Sequence, residues 1–305
     1  MKAVRIHRFG GPEVLQLDEI DKATPSGEQL LIRVKAASVN PVDYKIRKGG
    51  YPGVTEDKLP ITLGRDVAGV VETGGGGFAV GDEVYAHLDW ADGGYAEYAV
   101  VAPVGVAAKP KSLDMIHAAA VPLAATTAWQ GLFKHGDLKS GQRVLIHGGS
   151  GGVGGFAVQF AKAEGAYVYA TASGDGIETT RGYGADEVID YKSQKFEDVA
   201  KDVDLVFDLI GGETQDRSFA VLRPGGALIS TVQEPDKAKA AEKQLTAKRY
   251  MAEPNADHLK RIGELIDAGK VKVVVAETFP LKDASAAHKS LEEGHPLGKV
   301  VLEVG

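Results

Sequence analysis

A glycine-rich turn that joins a short apolar segment to a helical pattern restricts the fold of this chain more than any other feature. Residues 143–147 (RVLIH) are typical of a buried strand, and the following turn has its glycines in the order G-x-G-x-x-G. From Val153 to Ala161, apolar residues recur at i, i+3, i+4, i+7 and i+8, which is the apolar stripe of a helix. A strand, a tight turn and a helix N-terminus in this order direct backbone N–H groups toward a diphosphate. We therefore predict a dinucleotide site at Gly149, Ser150, Gly151, Gly152, Val153 and Gly154, with an ordinary flexible turn as the alternative.

Strand-like and helix-like segments alternate from residue 141 to about residue 269. Strands are predicted at 144–147, 167–171, 188–189, 205–210, 227–231 and 248–251, and a helix at 256–268. This spacing is typical of βαβ units in a parallel, doubly wound sheet. We interpret His147, at the end of the first of these strands, as a structural residue.

Residues 1 to about 110 have a different pattern, in which short alternating strands are separated by glycine and proline turns. Ser112 is predicted to cap a helix that Pro122 ends or kinks, and a second helix is expected near 126–134. Residues 271–275 and 299–304 are further strand candidates. Lys299 is expected to be solvated, with an approach to the cofactor as the alternative. The predicted organisation is a β-rich domain of residues 1–123 and 270–305, interrupted by a doubly wound domain of residues 124–269.

Composition excludes several classes of function. The 305 residues carry a net charge of −7 without any block of like charges, so neither nucleic acid nor an anionic membrane surface is expected as a partner. Cysteine is absent, which excludes disulfides, thiolate metal sites and a cysteine nucleophile. The opening residues lack an apolar segment of signal-peptide length, and the most apolar stretch, 118–129, is too short to span a bilayer. We expect a cytoplasmic protein.

The residues after the second predicted strand of the doubly wound domain favour NADP(H) over NAD(H). An NAD-binding unit places an acidic side chain about 20 residues past the first glycine, whereas Ala172 and Ser173 occupy that region here. Asp175 is the counter-argument, since it follows closely. Further cofactor contacts are predicted from the carboxyl ends of the strands and the loops that follow them, at Thr171, Ser173, Arg181, Tyr191, Leu209, Ile210 and Val232.

Several segments, taken in order, resemble the medium-chain dehydrogenase/reductase superfamily, in its zinc-free, zeta-crystallin-like quinone oxidoreductase branch. They are NPVDY at 40–44, GRDVAGVV at 64–71, VGDEV at 80–84, LAATTAWQ at 123–130, the glycine-rich turn, GADEVIDY at 184–191 and GKVVL at 298–302. The resemblance covers essentially the whole chain and implies a GroES-like β-rich catalytic domain joined to a Rossmann cofactor domain.

The resemblance also implies roles for individual residues. It places Asn40, Asp43, Tyr44 and Tyr51 at the substrate and nicotinamide. Asn40 is implied to bond near the nicotinamide ribose or to the substrate oxygen, and Tyr51 to donate a proton after hydride transfer. Asp43 could instead cap a turn, and Tyr51 could simply cover apolar surface. Thr127 is implied to bond the ribose or a phosphate of the cofactor.

Zinc-dependent members of the superfamily carry a cysteine in the region of Asn40 and a Gly-His-Glu in the region of residues 64–66. This chain has neither, and its eight histidines show no spacing typical of metal ligands, so we expect no metal. The function implied is an NADPH-dependent reductase of quinones or α,β-unsaturated carbonyls, acting as a homodimer on a small-molecule substrate. The alternatives are a 2-enoyl-thioester reductase, for which Arg47 and Lys48 offer slight support, and a non-catalytic NADPH-sensing protein.

Overall fold

The computed structural model describes residues 1–89, 93–294 and 296–305. Its strands are β1 (Lys2–Ile6), β2 (Leu15–Glu19), β3 (Leu30–Val39), β4 (Ile61–Thr62), β5 (Asp66–Thr73), β6 (Glu83–His87), β7 (Tyr98–Val101), β8 (Val106–Ala108), β9 (Arg143–Ile146), β10 (Tyr167–Ala172), β11 (Glu187–Asp190), β12 (Val203–Asp208), β13 (Leu222–Ser230), β14 (Thr246–Arg249), β15 (Val275–Pro280) and β16 (Lys299–Glu303).

The helices are α1 (Pro41–Arg47), α2 (Met115–Ala119), α3 (Pro122–Trp129), α4 (Gly152–Glu164), α5 (Gly176–Gly182), α6 (Phe196–Val199), α7 (Gly212–Ser218), α8 (Lys237–Glu242), α9 (Ala256–Asp267) and α10 (Ala284–Lys289). Two π-helical segments, 130–135 and 290–294, continue α3 and α10. Among the described residues, no helix combines the length and the apolarity that a membrane crossing needs.

The chain divides into two compact units. The first comprises residues 1–123, 253–269 and 273–305, and the second comprises residues 124–252 and 270–272. We predicted that residues 253–269 would lie in the doubly wound domain, whereas the structure places them in the first unit. The reason is that α9 is held by the first unit: the Tyr85 hydroxyl donates to the Leu259 carbonyl at 2.6 Å, and the Ser112 hydroxyl donates to Asp267 at 2.7 Å.

The strands of the first unit pair antiparallel except for β15 and β16, which are parallel. Its larger sheet has the order β15-β16-β3-β5-β6-β8, with β7 also paired to β3, and a smaller sheet has the order β2-β1-β4. The pairing places Ser38 opposite Asp66. Side chains from both sheets form an apolar core that includes Ile6, Ile32 and Val300.

The second unit is a six-stranded parallel sheet in the order β11-β10-β9-β12-β13-β14. The chain moves outward from β9 to β11 and then returns to β12 on the other side of β9. The strand order therefore reverses between β9 and β12, and ligands of doubly wound sheets bind at the carboxyl ends of the two strands that flank such a reversal. The prediction of a parallel, doubly wound domain is confirmed.

Three local predictions need correction. Asp114, not Ser112, caps α2, because the Ser112 hydroxyl is bonded to Asp267. Pro122 begins α3 instead of ending a helix, since the first turn needs no N–H from it. The strand expected at 271–275 begins at Val275, because the backbone of Lys272 is bonded to the side chain of Gln159.

Candidate functional site

The glycine-rich turn follows β9 and is held by the neighbouring strand β10. The Gly148 N–H donates to Thr171 Oγ1 at 3.1 Å, and the Gly149 N–H donates to the Thr171 carbonyl at 2.9 Å. Gly148 has a φ of +77°, the left-handed region that favours glycine. Thr171, predicted as a cofactor contact, is buried and supports the turn.

The glycines of the motif differ in what surrounds them. A Cβ at Gly154 would lie 2.0 Å from the Gly148 carbonyl oxygen, and one at Gly149 would lie 2.9 Å from Ala170 Cβ. A Cβ at Gly151 would meet only the Gly148 carbonyl oxygen, at an ordinary 3.5 Å. The fold thus requires glycine at 149 and 154, whereas at 151 the protein itself leaves room for a side chain.

The N-terminus of α4 has the geometry that suits an anion. This helix has 13 residues and begins at Gly152, so the N–H groups of its first turn lack an acceptor inside the helix. The positive end of the helix dipole adds to these donors. Ser150, Gly152 and Val153 are half-buried and Gly151 is exposed. The turn therefore fits the diphosphate of a dinucleotide, with bare backbone at Gly151 open to it.

A buried carboxylate organises the carboxyl end of β12. Asp208 Oδ1 accepts from the N–H groups of Ile210 and Gly211 at 3.0 and 2.9 Å, and Oδ2 accepts from Gln215 and Ser230 at 2.9 and 2.8 Å. The sequence analysis missed this network, although an acidic residue at the end of an apolar strand is a signal that could have revealed it.

The network places two predicted segments beside the glycine-rich turn. The position of a Gly148 Cβ would be 3.3 Å from Ile210 Cδ1 and 4.0 Å from Leu209 Cβ. A Gly211 Cβ would be 3.2 Å from Val232 Cγ2. Leu209, Ile210 and Val232 thus follow β12 and β13 at the same edge of the sheet as the turn, and Ile210 is 56% exposed.

The carboxyl end of β10 brings together two of the residues predicted to select the cofactor. The Ser173 hydroxyl donates to the Tyr191 hydroxyl at 2.8 Å, and Tyr191 is exposed. Arg181, on α5, forms an ion pair with Glu178 one helical turn away. Its guanidinium is therefore partly neutralised, and no contact joins it to the Ser173–Tyr191 pair.

Two other polar residues of the second unit are buried. The backbone carbonyl of Thr127, on α3, accepts from the Tyr250 hydroxyl at 2.5 Å. His147 lies 2.9 Å from Ser218 Oγ and 3.3 Å from Thr171 Oγ1, and burial lowers its pKa to about 4. His147 is structural, as the sequence predicts.

In the first unit, Asn40 and Asp43 form a reciprocal cap at the start of α1. The Asn40 N–H donates to Asp43 Oδ2 at 2.8 Å, and Asn40 Nδ2 donates to Asp66 Oδ2 at 2.8 Å. Asn40 Oδ1 accepts from Lys299 Nζ at 2.5 Å. Since an ammonium only donates and a carboxylate accepts, these two partners determine the orientation of the Asn40 amide.

Lys299 is buried, so the expectation that it is solvated was wrong. Burial lowers the pKa of its ammonium, and the Asp66 and Asp43 carboxylates oppose that effect. Burial likewise raises the pKa of Asp66, with Lys299 opposing. Each charge thus offsets the cost of desolvating the other. The sequence did not predict that Lys299 and Asp66 are buried together, because a lysine in a C-terminal strand looks solvated until β16 is seen to pair with β3.

Asp43 is fully buried, and burial raises its pKa to about 6 despite hydrogen bonds from Asn40 and Tyr95 that favour the ionised form. Its neighbour on α1, Tyr44, is partly buried, and burial together with Glu292 raises its pKa. Tyr51 packs against the apolar core of the unit. The phenol of Tyr51 is also among the groups that interact electrostatically with the buried guanidinium of Arg65.

The described residues contain no group of three His, Cys, Asp or Glu side chains arranged to hold a metal ion. His295, one of the histidines expected to bind no metal, lies outside the described residues.

Comparisons with known proteins agree with this architecture. Residues 26–111 match the family model described as alcohol dehydrogenase GroES-like domain, and residues 183–302 match the model described as zinc-binding dehydrogenase. The chloroplastic NADPH-dependent alkenal/one oxidoreductase of Arabidopsis thaliana is 38% identical over 324 residues, which cover 99% of this chain and 79% of the relative. The chain belongs to the medium-chain dehydrogenase/reductase superfamily.

Solved structures from the quinone oxidoreductase branch of this superfamily superimpose closely on the chain. The quinone oxidoreductase from Coxiella burnetii has a TM-score of 0.93 and 34% identity, covering 100% of this chain and 99% of its own. The Escherichia coli quinone oxidoreductase complexed with NADPH has a TM-score of 0.89 and 29% identity, covering 99% and 100%. The GroES-like and doubly wound parts of the predicted fold, and the predicted branch of the superfamily, are confirmed.

Proposed function

We propose that this protein is an NADPH-dependent reductase of quinones or α,β-unsaturated carbonyls. The observation that carries the proposal is the glycine-rich turn at the reversal of strand order, where Gly151 and the first-turn amides of α4 leave room for a diphosphate. The Arabidopsis relative is named for NADPH-dependent reduction of alkenals and alkenones, and the E. coli structure contains NADPH. Both support the same cofactor and the same substrate class here.

The second unit supplies the residues that hold the cofactor. The N–H groups of the first turn of α4 would hold the diphosphate, while those of Gly149 and Gly151 are bonded to the Thr171 and Gly148 carbonyls and keep the turn in shape. The Ser173–Tyr191 pair, with Arg181, would accommodate a 2′-phosphate. Leu209, Ile210 and Val232 would border the nicotinamide. Thr127 and Thr171 are the remaining residues that we propose to hold the cofactor, Thr171 by supporting the glycine-rich turn. NADPH, when bound, supplies the hydride that an electron-poor acceptor receives.

The first unit supplies the polar residues for the acceptor. We assign proton donation to Tyr51, because the resemblance places it at the substrate and a phenol can protonate the enolate or phenolate that forms after hydride transfer. Asn40 and Asp43 keep the first turn of α1 in place, and Tyr44 on the same helix faces the substrate in this proposal.

The reaction proceeds without zinc in this proposal. The chain has no cysteine, and the Lys299 ammonium is bonded to Asn40 beside Asp66, the region in which zinc-dependent relatives are implied to place ligands. A second cation there would be repelled by the buried ammonium. Turnover should survive dialysis against a strong chelator, and loss of activity that zinc restores would contradict this part of the proposal.

Binding and turnover test the function directly. NADPH should bind more tightly than NADH in a fluorescence titration, and a panel of quinones, enals and enones should show NADPH oxidation at the nicotinamide absorbance. Tight NADPH binding without turnover of any acceptor would favour the NADPH-sensing alternative. Of the two residues that favoured the thioester alternative, Arg47 is buried and paired with Glu292, while Lys48 is exposed and also pairs with Glu292.

We also propose a cytoplasmic homodimer. β14 lies at the edge of the six-stranded sheet, so its outer backbone groups are available for pairing with a second copy. A monomer mass in sedimentation at micromolar concentration would contradict the dimer. The acidic composition without cysteine supports the compartment, and fractionation of the source cells tests it.

A further inference from the structure

A chain of buried polar groups leads from the surface of the first unit to Asp43 and takes no part in the mechanism described above. Arg47 Nη2 donates to Glu292 Oε1 at 2.5 Å, and Arg47 Nη1 lies 3.1 Å from His288 Nδ1. His288 Nε2 lies 3.2 Å from the Tyr95 hydroxyl, which lies 3.0 Å from Asp43 Oδ2. Arg47, His288, Tyr95 and Asp43 are each fully buried. They come from α1, α10 and the segment before β7, so only the tertiary structure assembles them.

The chemistry of the partners determines the direction of every hydrogen bond in this chain. A guanidinium can only donate, so His288 Nδ1 must accept from Arg47, and the single proton of the neutral ring resides on Nε2. Nε2 then donates to the Tyr95 oxygen, which directs the Tyr95 hydrogen to Asp43 Oδ2. Burial and the nearby Arg47 lower the pKa of His288 to about 3, which keeps the ring neutral.

The chain ends on one oxygen of Asp43 and leaves the other without a partner. Oδ2 accepts from Tyr95 and from the Asn40 N–H, whereas Oδ1 has no hydrogen-bond partner among the described residues. A proton on Asp43 must therefore reside on Oδ1. Asp66, Arg65 and Lys299 are the other charged groups that act on this carboxyl, Asp66 favouring its neutral form and the two cations its ionised form.

We propose that Tyr95 and His288 are positioning residues of the reductase: they hold Asp43 through Oδ2, keep its proton-binding site on Oδ1, and thereby hold the first turn of α1. The inference rests on the proposed function, because α1 carries Asn40 and Tyr44, which that function places beside the nicotinamide and the substrate. The diphosphate contacts come from α4 and not from α1, so we expect the effect chiefly on kcat and less on NADPH binding.

The first measurement uses the unaltered protein without substrate. The ¹⁵N shifts of His288 should show a protonated Nε2 and a bare Nδ1 from pH 5 to pH 8, and a proton on Nδ1 would overturn the proposal. The ¹³C carboxyl resonance of Asp43, assigned with Asp43→Asn, should titrate near pH 6. Both measurements remain decisive if no quinone or enone is reduced, an outcome that would contradict the proposed function alone.

The second measurement compares variants. Tyr95→Phe removes the hydrogen bond that favours ionised Asp43, so the carboxyl titration should move up by about one pH unit. Because neutral Asp43 holds the Asn40 N–H less strongly than the carboxylate does, we expect kcat to fall as Asp43 is protonated. This acidic limb of kcat should move up with the titration, with KM for NADPH changed less than about twofold. His288→Gln retains an acceptor for Arg47 and a donor for Tyr95, so its profile should stay closer to that of the unaltered protein than the profile of His288→Leu.

Tyr85→Phe is the matched control, since Tyr85 is an equally buried tyrosine of the same unit whose hydroxyl donates to the Leu259 carbonyl. It should leave the Asp43 titration and the pH profile unchanged. An unchanged Asp43 titration in Tyr95→Phe, an equal shift in Tyr85→Phe, or a shifted titration with an unaltered kcat profile would each overturn the proposal. If Tyr95→Phe does not fold, the comparison of the two His288 variants decides in the same way.

Discussion

At the scale of single residues, the two glycines at 151 and 154 have separate tasks. Position 154 requires glycine because a side chain there would collide with the Gly148 carbonyl oxygen. At position 151 a methyl group would meet only ordinary contacts within the protein. This difference separates the effect of a methyl group on folding from its effect on cofactor binding.

Gly151→Ala should fold normally and bind NADPH about tenfold more weakly, a loss of about 1.4 kcal/mol, because its new methyl group occupies the path of the diphosphate. Gly154→Ala should lower the free energy of unfolding by about 3 kcal/mol, since the methyl group would lie 2.0 Å from a carbonyl oxygen. Urea unfolding and an NADPH titration check both. Equal loss of stability in the two variants would contradict the assignment.

The residue at 173 should decide which cofactor is preferred. In Ser173→Asp, the new carboxylate repels a 2′-phosphate and can bond a free 2′-hydroxyl, so NADPH affinity should fall about tenfold or more while NADH affinity holds or rises. Titrations with both cofactors measure the ratio. Ser26→Asp places the same charge on an exposed serine of the other unit and should leave the ratio unchanged.

At the scale of elements, the carboxyl ends of the strands position the loops that form the proposed cofactor site. The carboxyl ends of β9, β10, β12 and β13 meet at one edge of the sheet, and hydrogen bonds from Thr171 and Asp208 determine the shape of the loops that follow. In the first unit, the start of α1 is determined by Asn40 and Asp43 in the same manner. Loops of this kind are ordered by buried acceptors and need little apolar packing of their own.

Removing the Asp208 carboxylate should release the loop after β12. Asp208→Ala leaves four donors without their acceptor, so the free energy of unfolding should fall by about 3 kcal/mol and NADPH affinity should fall with it. Asp198→Ala, at an exposed position of α6, is the control and should alter neither quantity. Unchanged NADPH binding in Asp208→Ala would show that this loop does not border the cofactor.

At the scale of the whole molecule, buried ionisable groups link stability to pH. Burial lowers the pKa of His87 and His288 to about 3 and that of His147 to about 4. Below about pH 6.5 these three histidines therefore bind protons in the unfolded chain but not in the folded chain. Proton binding favours the unfolded chain, so the histidines lower the free energy of unfolding as the pH falls. Asp43 and Asp66, whose pKa values burial raises, act in the opposite direction.

Three histidines act against at most two carboxyls, so unfolding takes up at least one proton in total. The free energy of unfolding should therefore fall by about 1.4 kcal/mol or more per pH unit as the pH is lowered from roughly 6 to 4.5. Urea denaturation at pH 6.5, 5.5 and 4.5, with and without NADPH, measures this slope. A free energy that stays constant or rises toward pH 4.5 would contradict the burial of the histidines.

The sequence by itself determined the features that depend on local order along the chain. The glycine spacing and the apolar stripe after it predict the turn and α4, because a strand, a turn and a helix in that order have few alternatives. The alternation of strands and helices likewise predicts the parallel sheet. The cap formed by Asn40 and Asp43 also lies within four residues, and the sequence analysis kept it open as a possibility.

Only the tertiary structure decided the contacts between distant segments. Lys299 contacts Asn40 because β16 pairs with β3. His288 of α10 contacts Tyr95, although 193 residues separate them in the sequence. The Tyr85 hydroxyl likewise ties α9 to the first unit. No pattern in a single sequence records these contacts, since a charged side chain looks the same in sequence whether it is solvated or buried against a partner. The burial that shifts the pKa values of Asp43, Lys299 and His288 is thus a property of the packed molecule.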